Sequence, residues 1–292
     1  MPAPDIPALL QRYGLRPQKS LGQNFLVDEG ALRRVVEAAQ IQPDEQVLEI
    51  GPGLGSLTCW LAERANRVVC VELDQKLLPP LEEVLGPYPN VQIIQGDILR
   101  LDPSALMGNS GGSRQPDYLV VANIPYYITS ALVRHLLETR YPPRSLVLTV
   151  QREVAERICA RPGDMSLLAL SVQVYGSPQI VAHIPAGAFY PPPKVDSAVI
   201  QVELFHEPII PSAQLRAFFR LAKAGFSQKR KTLRNALSGG MRWSTAQAGE
   251  LLEATGIDPM RRAETLSLEE WKRLVVSTSP FTASELHTKE KR

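Results

Sequence analysis

The stretch that decides the fold is Val47-Leu48-Glu49-Ile50-Gly51-Pro52-Gly53-Leu54-Gly55-Ser56-Leu57-Thr58. Val47 to Ile50 is an apolar run interrupted only by Glu49, and it reads as a strand buried in a parallel sheet. Three glycines at alternate positions follow, and Ser56 is placed to cap a helix whose apolar side carries Leu57, Trp60 and Leu61. Strand, glycine turn and helix start together form a cradle. Glycine lets the backbone approach a ligand with no Cβ in the way, and the first turn of a helix offers free N–H groups. The spacing is G-x-G-x-G, not the G-x-G-x-x-G of a pyrophosphate site. With Glu49 just upstream, it points to a nucleoside carrying an amino-acid tail, S-adenosylmethionine, in preference to a dinucleotide. Gly51, Gly53 and Gly55 are the binding candidates of this stretch.

Outward from the turn, buried strands are expected at 68–72, 91–94, 118–122 and 145–150. Helices are expected at 29–39, capped by Asp28, at 77–85, weakened by Pro79 and Pro80, and at 129–138. Strands alternating with helices imply an α/β fold with a parallel, doubly wound sheet. Two further β-rich runs, 167–174 and 195–204, follow. After Pro208 the texture turns helical, at 212–223, 228–237, 245–255 and 268–276. This places a boundary near Phe205, with one domain over 1–205 and a smaller all-helical domain over 206–292 that ends in a polar tail. Residues 108–116 (Gly-Asn-Ser-Gly-Gly-Ser-Arg-Gln-Pro) read as a surface loop.

In a parallel sheet, ligands bind beyond the carboxyl ends of the strands. Four successive strands here end in a glycine or a polar residue: Gly51, Glu72, Asp97 and Asn123. Glu72 falls about 20 residues past the glycines, where an acid can accept from both ribose hydroxyls. Asp97 can accept from an adenine amino group. Either acid alone reads equally well as a helix cap or a surface charge. Asn123-Ile124-Pro125-Tyr126 is the sharpest signal. An exocyclic aromatic amine is a poor nucleophile, because its lone pair is delocalised into the ring. Methylating it requires the nitrogen to be held in line with its N–H groups directed at acceptors. The Asn123 amide oxygen and the Ile124 carbonyl can be those acceptors, Pro125 sets the turn, and Tyr126 offers a face for a base to stack on. Asn does not titrate in water, so this is positioning and electrostatic stabilisation, not general-base catalysis.

The 292 residues are 44% hydrophobic and 21% charged, the composition of a globular chain and not of a disordered one. No apolar run reaches the ~18 residues of a membrane span. The N-terminus has no basic region followed by an apolar one, so no secretory signal is read there and a cytoplasmic setting is expected. Cys59, Cys70 and Cys159 form no C-x-x-C pair and read as small core residues in a reducing compartment. The four histidines show no ligand spacing, so no metal is expected. The net charge of +2 conceals an asymmetry. From Ile209 to Gly249 there is no acid but eight cations (Arg216, Arg220, Lys223, Lys229, Arg230, Lys231, Arg234 and Arg242), which leaves the remainder at −6. That is the footprint of a polyanion partner, with a solvated basic helix face as the plainer reading.

With these residues in view, the chain resembles the KsgA-type rRNA adenine N6,N6-dimethyltransferases. Gly22-Gln23-Asn24-Phe25-Leu26, Glu49 to Gly55, Glu72, Gly96-Asp97, Asn123 to Tyr126, Phe189 to Ser197 and Phe226 to Asn235 match that family's motifs in order, over roughly residues 11 to 278. The resemblance implies a class I, Rossmann-like methyltransferase fold with S-adenosylmethionine as donor. It also implies dimethylation of adjacent adenosines in the 3′-terminal hairpin of small-subunit rRNA, on a pre-ribosomal small subunit. By the same carry-over, Asn24, Leu26, Gly51, Glu72, Leu73, Asp97, Ile98 and Asn123 would contact or line the cofactor site. Tyr126 and Phe189 would sandwich the target adenine, Phe189 being otherwise an ordinary core residue. Arg220, Lys223, Gln228, Lys229, Arg230, Lys231 and Arg234 would grip RNA. A monomer is expected. Tyr127 stands where relatives often carry Asn, and the tail after Ser279 matches nothing in the family. Two alternatives are a large-subunit rRNA adenine methyltransferase of the macrolide-resistance type and a non-catalytic assembly factor on the same fold.

Overall fold

The computed structural model describes residues 4–108, 117–125 and 128–287. Most of the expected 108–116 loop, together with Tyr126 and Tyr127, lies outside the described residues. The chain opens with α1 (Ile6–Arg12) and a two-residue strand, β1 (Phe25–Leu26). α2 (Glu29–Ala39) leads into an alternation: β2 (Gln46–Ile50), α3 (Ser56–Ala62), β3 (Arg67–Glu72), α4 (Leu78–Leu85), β4 (Val91–Gln95), α5 (Pro103–Leu106), β5 (Tyr118–Asn123), α6 (Thr129–Leu137) and β6 (Ser145–Gln151). There follow α7 (Arg152–Ile158), α8 (Leu167–Gln173), β7 (Gly176–Ile184), β8 (Phe189–Tyr190) and β9 (Ser197–Leu204). The last helices are α9 (Leu215–Phe226), α10 (Leu233–Met241), α11 (Thr245–Ala254) and α12 (Leu268–His287).

Seven strands form one sheet in the order β4-β3-β2-β5-β6-β9-β7. β2 to β6 run parallel, and β9 is antiparallel to β6. Strand order reverses between β2 and β5, the switch point at which doubly wound sheets bind ligands. Register makes that point useful. Ile50 pairs with Val71 on one side and with Ala122 on the other, and Glu72 pairs with Gln95. Gly51, Glu72, Gly96 and Asn123 therefore end their strands along a single edge. Val47, Leu48, Val68, Val69, Val120 and Val121 are fully buried, as apolar strands covered on both faces must be. α2 covers one face with Leu32, Val35 and Val36, and Asp28 caps it by accepting from the Ala31 N–H at 2.7 Å.

The chain divides into two compact units. One holds the chain through Glu156 together with Ser177–Leu204; the other holds Arg157–Gly176 together with the chain from Phe205 onward. Residues 157–176, placed before the boundary by sequence, thus cluster with the helical unit. That unit has its own core of Leu170, Phe218, Leu221, Leu237, Leu252 and Trp271, among others. Trp271 stacks on Phe226 with centroids 6.0 Å apart. α9 and α10 meet closely because Gly240 carries no side chain: a Cβ there would lie 2.5 Å from that of Ala224.

Three local expectations are corrected. Residues 167–174 form helix α8, not a strand; Ser166 caps it by accepting from the Ala169 N–H at 3.1 Å, and Leu170 and Val174 face the helical core. A short apolar run is compatible with either state until a cap and a burial pattern decide it. The strand in this region is β7, whose Pro178 is tolerated because β7 lies at the sheet edge. Ser56 is the first helical residue and not the cap; Gly55 occupies that position at φ 86° with no side-chain bond. Residues 228–231 form a turn, Lys231 N–H to Gln228 carbonyl at 3.1 Å, and the helix begins only at Leu233.

Candidate active site

A cavity of about 270 Å³ opens where the strand tips converge. Asn24, Leu26, Gly51, Gly53, Glu72, Leu73, Asp97, Ile98, Asn123, Ile124 and Pro125 all line it. Residues spread over some hundred positions of sequence are thus gathered into one crevice by the register described above.

The glycine turn works by conformation. Gly51 and Gly53 hold φ values of 70° and 60°, in the left-handed region that a Cβ disfavours. Their surroundings differ. A Cβ on Gly53 would lie 2.8 Å from the Phe25 ring, whereas a Cβ on Gly51 would meet no protein atom within 4 Å. Gly53 is needed for packing, and Gly51 keeps the cavity floor open. Gly55 does not line the cavity; a Cβ there would meet Val84 at 3.0 Å, so it serves the packing of α3 against α4.

Glu72 is buried, and its two oxygens are both in use. Oε2 accepts from the Gly53 N–H at 3.1 Å and Oε1 from the Asp74 N–H at 2.8 Å. Burial pushes its pKa up, and these backbone donors pull it back. Each oxygen keeps a further lone pair for a hydroxyl donor. Glu49, just below the turn, is 1% exposed, and burial raises its pKa to about 7. The Cys70 thiol donates to its Oε2 at 3.5 Å. Asp97 is both a cavity residue and a cap: Oδ1 accepts from the Leu99 N–H at 3.0 Å, and Oδ2 lies 3.5 Å from Arg100 Nε. Leu73, 48% exposed, presents an apolar side chain beside these acids.

Asn123 sits at the end of β5. Its Nδ2 donates to the Asn24 backbone carbonyl at 2.9 Å. A carbonyl can only accept, so the amide group is oriented and Oδ1 is left as a fixed acceptor. Phe189 is placed otherwise than the sandwich reading expects. It pairs with Leu26 across β1 and β8, is 3% exposed, belongs to the sheet core and does not line the cavity. Of the two readings open for it, core residue is the one this structure displays. Sequence reading missed Gln18, Gln23 and Asp74, which bond to one another beside Glu72. The signal available was an acid two residues past Glu72, next to a glutamine-bearing motif.

In the helical unit, Arg216, Arg220 and Lys223 project from α9 at spacings of four and three, hence on one face, and all are exposed. Gln228, Lys229, Arg230 and Lys231 are exposed in the turn before α10, while Arg234, on α10, is half-buried. Among the described residues none of these cations forms an ion pair with a carboxylate. A row of unneutralised cations suits a phosphate backbone.

Similarity to known proteins runs along most of the chain. The model of the ribosomal RNA adenine dimethylase family matches residues 14–277. A ribosomal RNA small subunit methyltransferase A of Dehalococcoides mccartyi is 47% identical over 266 residues, covering 91% of this chain and 90% of its own. Its counterpart in Moorella thermoacetica is 44% identical over 269 residues, covering 90% and 93%. Among solved structures, a dimethyladenosine transferase from Plasmodium falciparum superposes with a TM-score of 0.73 at 25% identity, covering 88% of this chain and 98% of its own. The 23S rRNA methyltransferase ErmE gives 0.68 at 29% identity, covering 87% and 99%.

Proposed function

The chain belongs to the ribosomal RNA adenine dimethylase family, and from that premise and the geometry above we propose that it dimethylates N6 of adjacent adenosines in the 3′-terminal hairpin of small-subunit rRNA. The donor is S-adenosylmethionine, which supplies a methyl group on a sulfonium. The residues present fit it: Gly51 leaves the cavity floor clear, Glu72 offers lone pairs to ribose hydroxyls, and Leu73 and Asp97 offer an apolar face and an acceptor to adenine.

The observation that carries the reading is the Asn123 amide, locked by the Asn24 carbonyl at the switch point of the sheet. Its Oδ1 and the Ile124 carbonyl accept the N–H bonds of the target amine. This orients the nitrogen lone pair toward the cavity and stabilises the positive charge that develops on nitrogen. The target base must be unpaired or flipped out to reach this point, and Tyr126 supplies its stacking face. Phe189 supports the site from the core by holding β8 against β1. Arg220, Lys223, Gln228, Lys229, Arg230, Lys231 and Arg234 grip the RNA backbone. We read the chain as a monomer acting in the cytoplasm on a pre-ribosomal small subunit. No helix among the described residues is long and apolar enough to cross a membrane.

The test is methyl transfer from labelled S-adenosylmethionine to small subunits lacking the modification, with large-subunit rRNA in parallel. Label in dimethyladenosine of the small-subunit 3′ hairpin is expected. Unlabelled small subunits would overturn the proposal, and label confined to large-subunit rRNA would move the activity to that substrate.

A further inference from the structure

We infer that Asp74 is a positioning residue for the donor cavity: its carboxylate clamps the segment from Gln18 to Leu26 across the tip of β2. The segment is tied at two places. At one, Asn24 receives the Asn123 amide at the tip of β5. At the other, Gln18 Nε2 and Gln23 Nε2 both donate to Asp74 Oδ2, each at 2.8 Å, two residues past the tip of β3. Because β2 lies between β3 and β5, a segment held at both of those tips passes over the glycine turn. Gly22, Asn24 and Leu26 of this segment line the cavity.

Asp74 is built for holding. It is 8% exposed and has no cation partner among the described residues. Its other oxygen accepts from the Lys76 N–H at 3.1 Å, and its own N–H donates to Glu72 Oε1 at 2.8 Å. The two glutamines are themselves joined, Gln18 N–H to Gln23 Oε1 at 2.8 Å. A buried carboxylate is costly unless its lone pairs are filled, and here neutral amides from the segment fill them. One continuous chain of bonds therefore runs from the segment through Asp74 to Glu72 and on to Gly53. Loosening the Asp74 end leaves Asn123 and Glu72 in place but frees the wall of the cavity, so the donor escapes more readily while its chemistry is unchanged.

The inference rests on the donor reading given above, and the experiment separates the two. S-adenosylmethionine is titrated calorimetrically into the full chain, and donor KM and kcat are measured on small subunits. The variants are Gln18→Ala/Gln23→Ala, Asp74→Ala and all three together. The first variant leaves Asp74 and its bond to Lys76 untouched. For each of the first two, donor Kd and KM are expected to rise about tenfold, the scale of losing charge-assisted bonds. Turnover at saturating donor should stay within about twofold. The triple variant should be no weaker than Asp74→Ala alone, because each removes the bonds between the two glutamines and Asp74. Amides of residues 18–23 should exchange faster in every variant, while those of Phe25 and Leu26, paired with β8, should not. An unchanged donor KM, a fall in kcat without a rise in KM, or multiplying losses in the triple variant would overturn the clamp. Absence of donor binding by the unaltered chain would instead overturn the donor reading itself.

Discussion

The side chain of Asn123 donates to the backbone carbonyl of Asn24 at 2.9 Å, joining residues 99 apart in sequence. This bond converts a flexible amide into a fixed acceptor at the end of the central strand β5. It explains why Asn serves here and Asp would not: a carboxylate cannot donate to the Asn24 carbonyl, and two acceptors would face each other. Asn123→Asp and Asn123→Ala should both lower single-turnover methyl transfer by about 10² to 10³, the usual loss for one preorganised transition-state contact. Melting temperature should fall little. Undiminished transfer in Asn123→Ala would remove the residue from its role.

Gly51 and Gly53 share a backbone conformation but should respond differently to alanine. Both substitutions place a Cβ at positive φ, costing about 1–2 kcal/mol. Gly53→Ala also drives that Cβ to 2.8 Å from Phe25, adding about 1–3 kcal/mol of overpacking. Gly51→Ala adds no protein clash, yet its methyl enters the space left for the donor. Thermal denaturation should rank Gly53→Ala as the less stable variant, while donor titration should show at least as large a loss for Gly51→Ala.

Glu49 should give stability a distinctive pH dependence. Its carboxyl titrates near the ordinary value of 4.5 in the unfolded chain, and burial moves it to about 7 in the fold. Below pH 4.5 both states hold the proton. Between 4.5 and 7 the unfolded chain releases it first, so stability falls as pH rises, by about 3 kcal/mol in all, and levels off above 7. Glu49→Gln cannot ionise and escapes this loss. The difference in melting temperature between Glu49→Gln and the unaltered chain should widen from pH 5 to pH 7 and then hold steady; a constant difference would refute the ionisation account.

Lys229 and Arg230 are exposed in the turn before α10 and form no ion pair with a carboxylate among the described residues, so neutralising them should leave folding intact. Lys229→Gln/Arg230→Gln should make the slope of log affinity for small-subunit rRNA against log salt shallower by about 1.4–1.8, because each phosphate contact contributes about 0.7–0.9. An unaltered slope would place this turn away from the RNA.

Much of this was legible along the chain because it is local. An apolar strand, glycines at alternate positions and a polar residue at each strand tip are contiguous patterns, and a parallel sheet aligns such tips whatever the helices between them do. The 167–174 run was not legible as a helix, since a short apolar segment acquires its periodicity only from the surface it packs against. Nor was Phe189: its place opposite Leu26 depends on a strand pairing that brings together motifs more than 160 residues apart.

By itself, then, the order of residues determined the α/β alternation, the place of the glycine turn and the acid-free basic stretch, all properties of near neighbours. Only the tertiary structure decided which groups are free to act. It bonds Glu72 to Gly53 and Asp74 while leaving each oxygen a lone pair, fixes the Asn123 amide on the Asn24 carbonyl, buries Phe189 and ties Gln18 and Gln23 to Asp74. The physical reason is that a hydrogen bond or a buried face is fixed by whatever the fold brings within reach, and sequence separation says nothing of that distance.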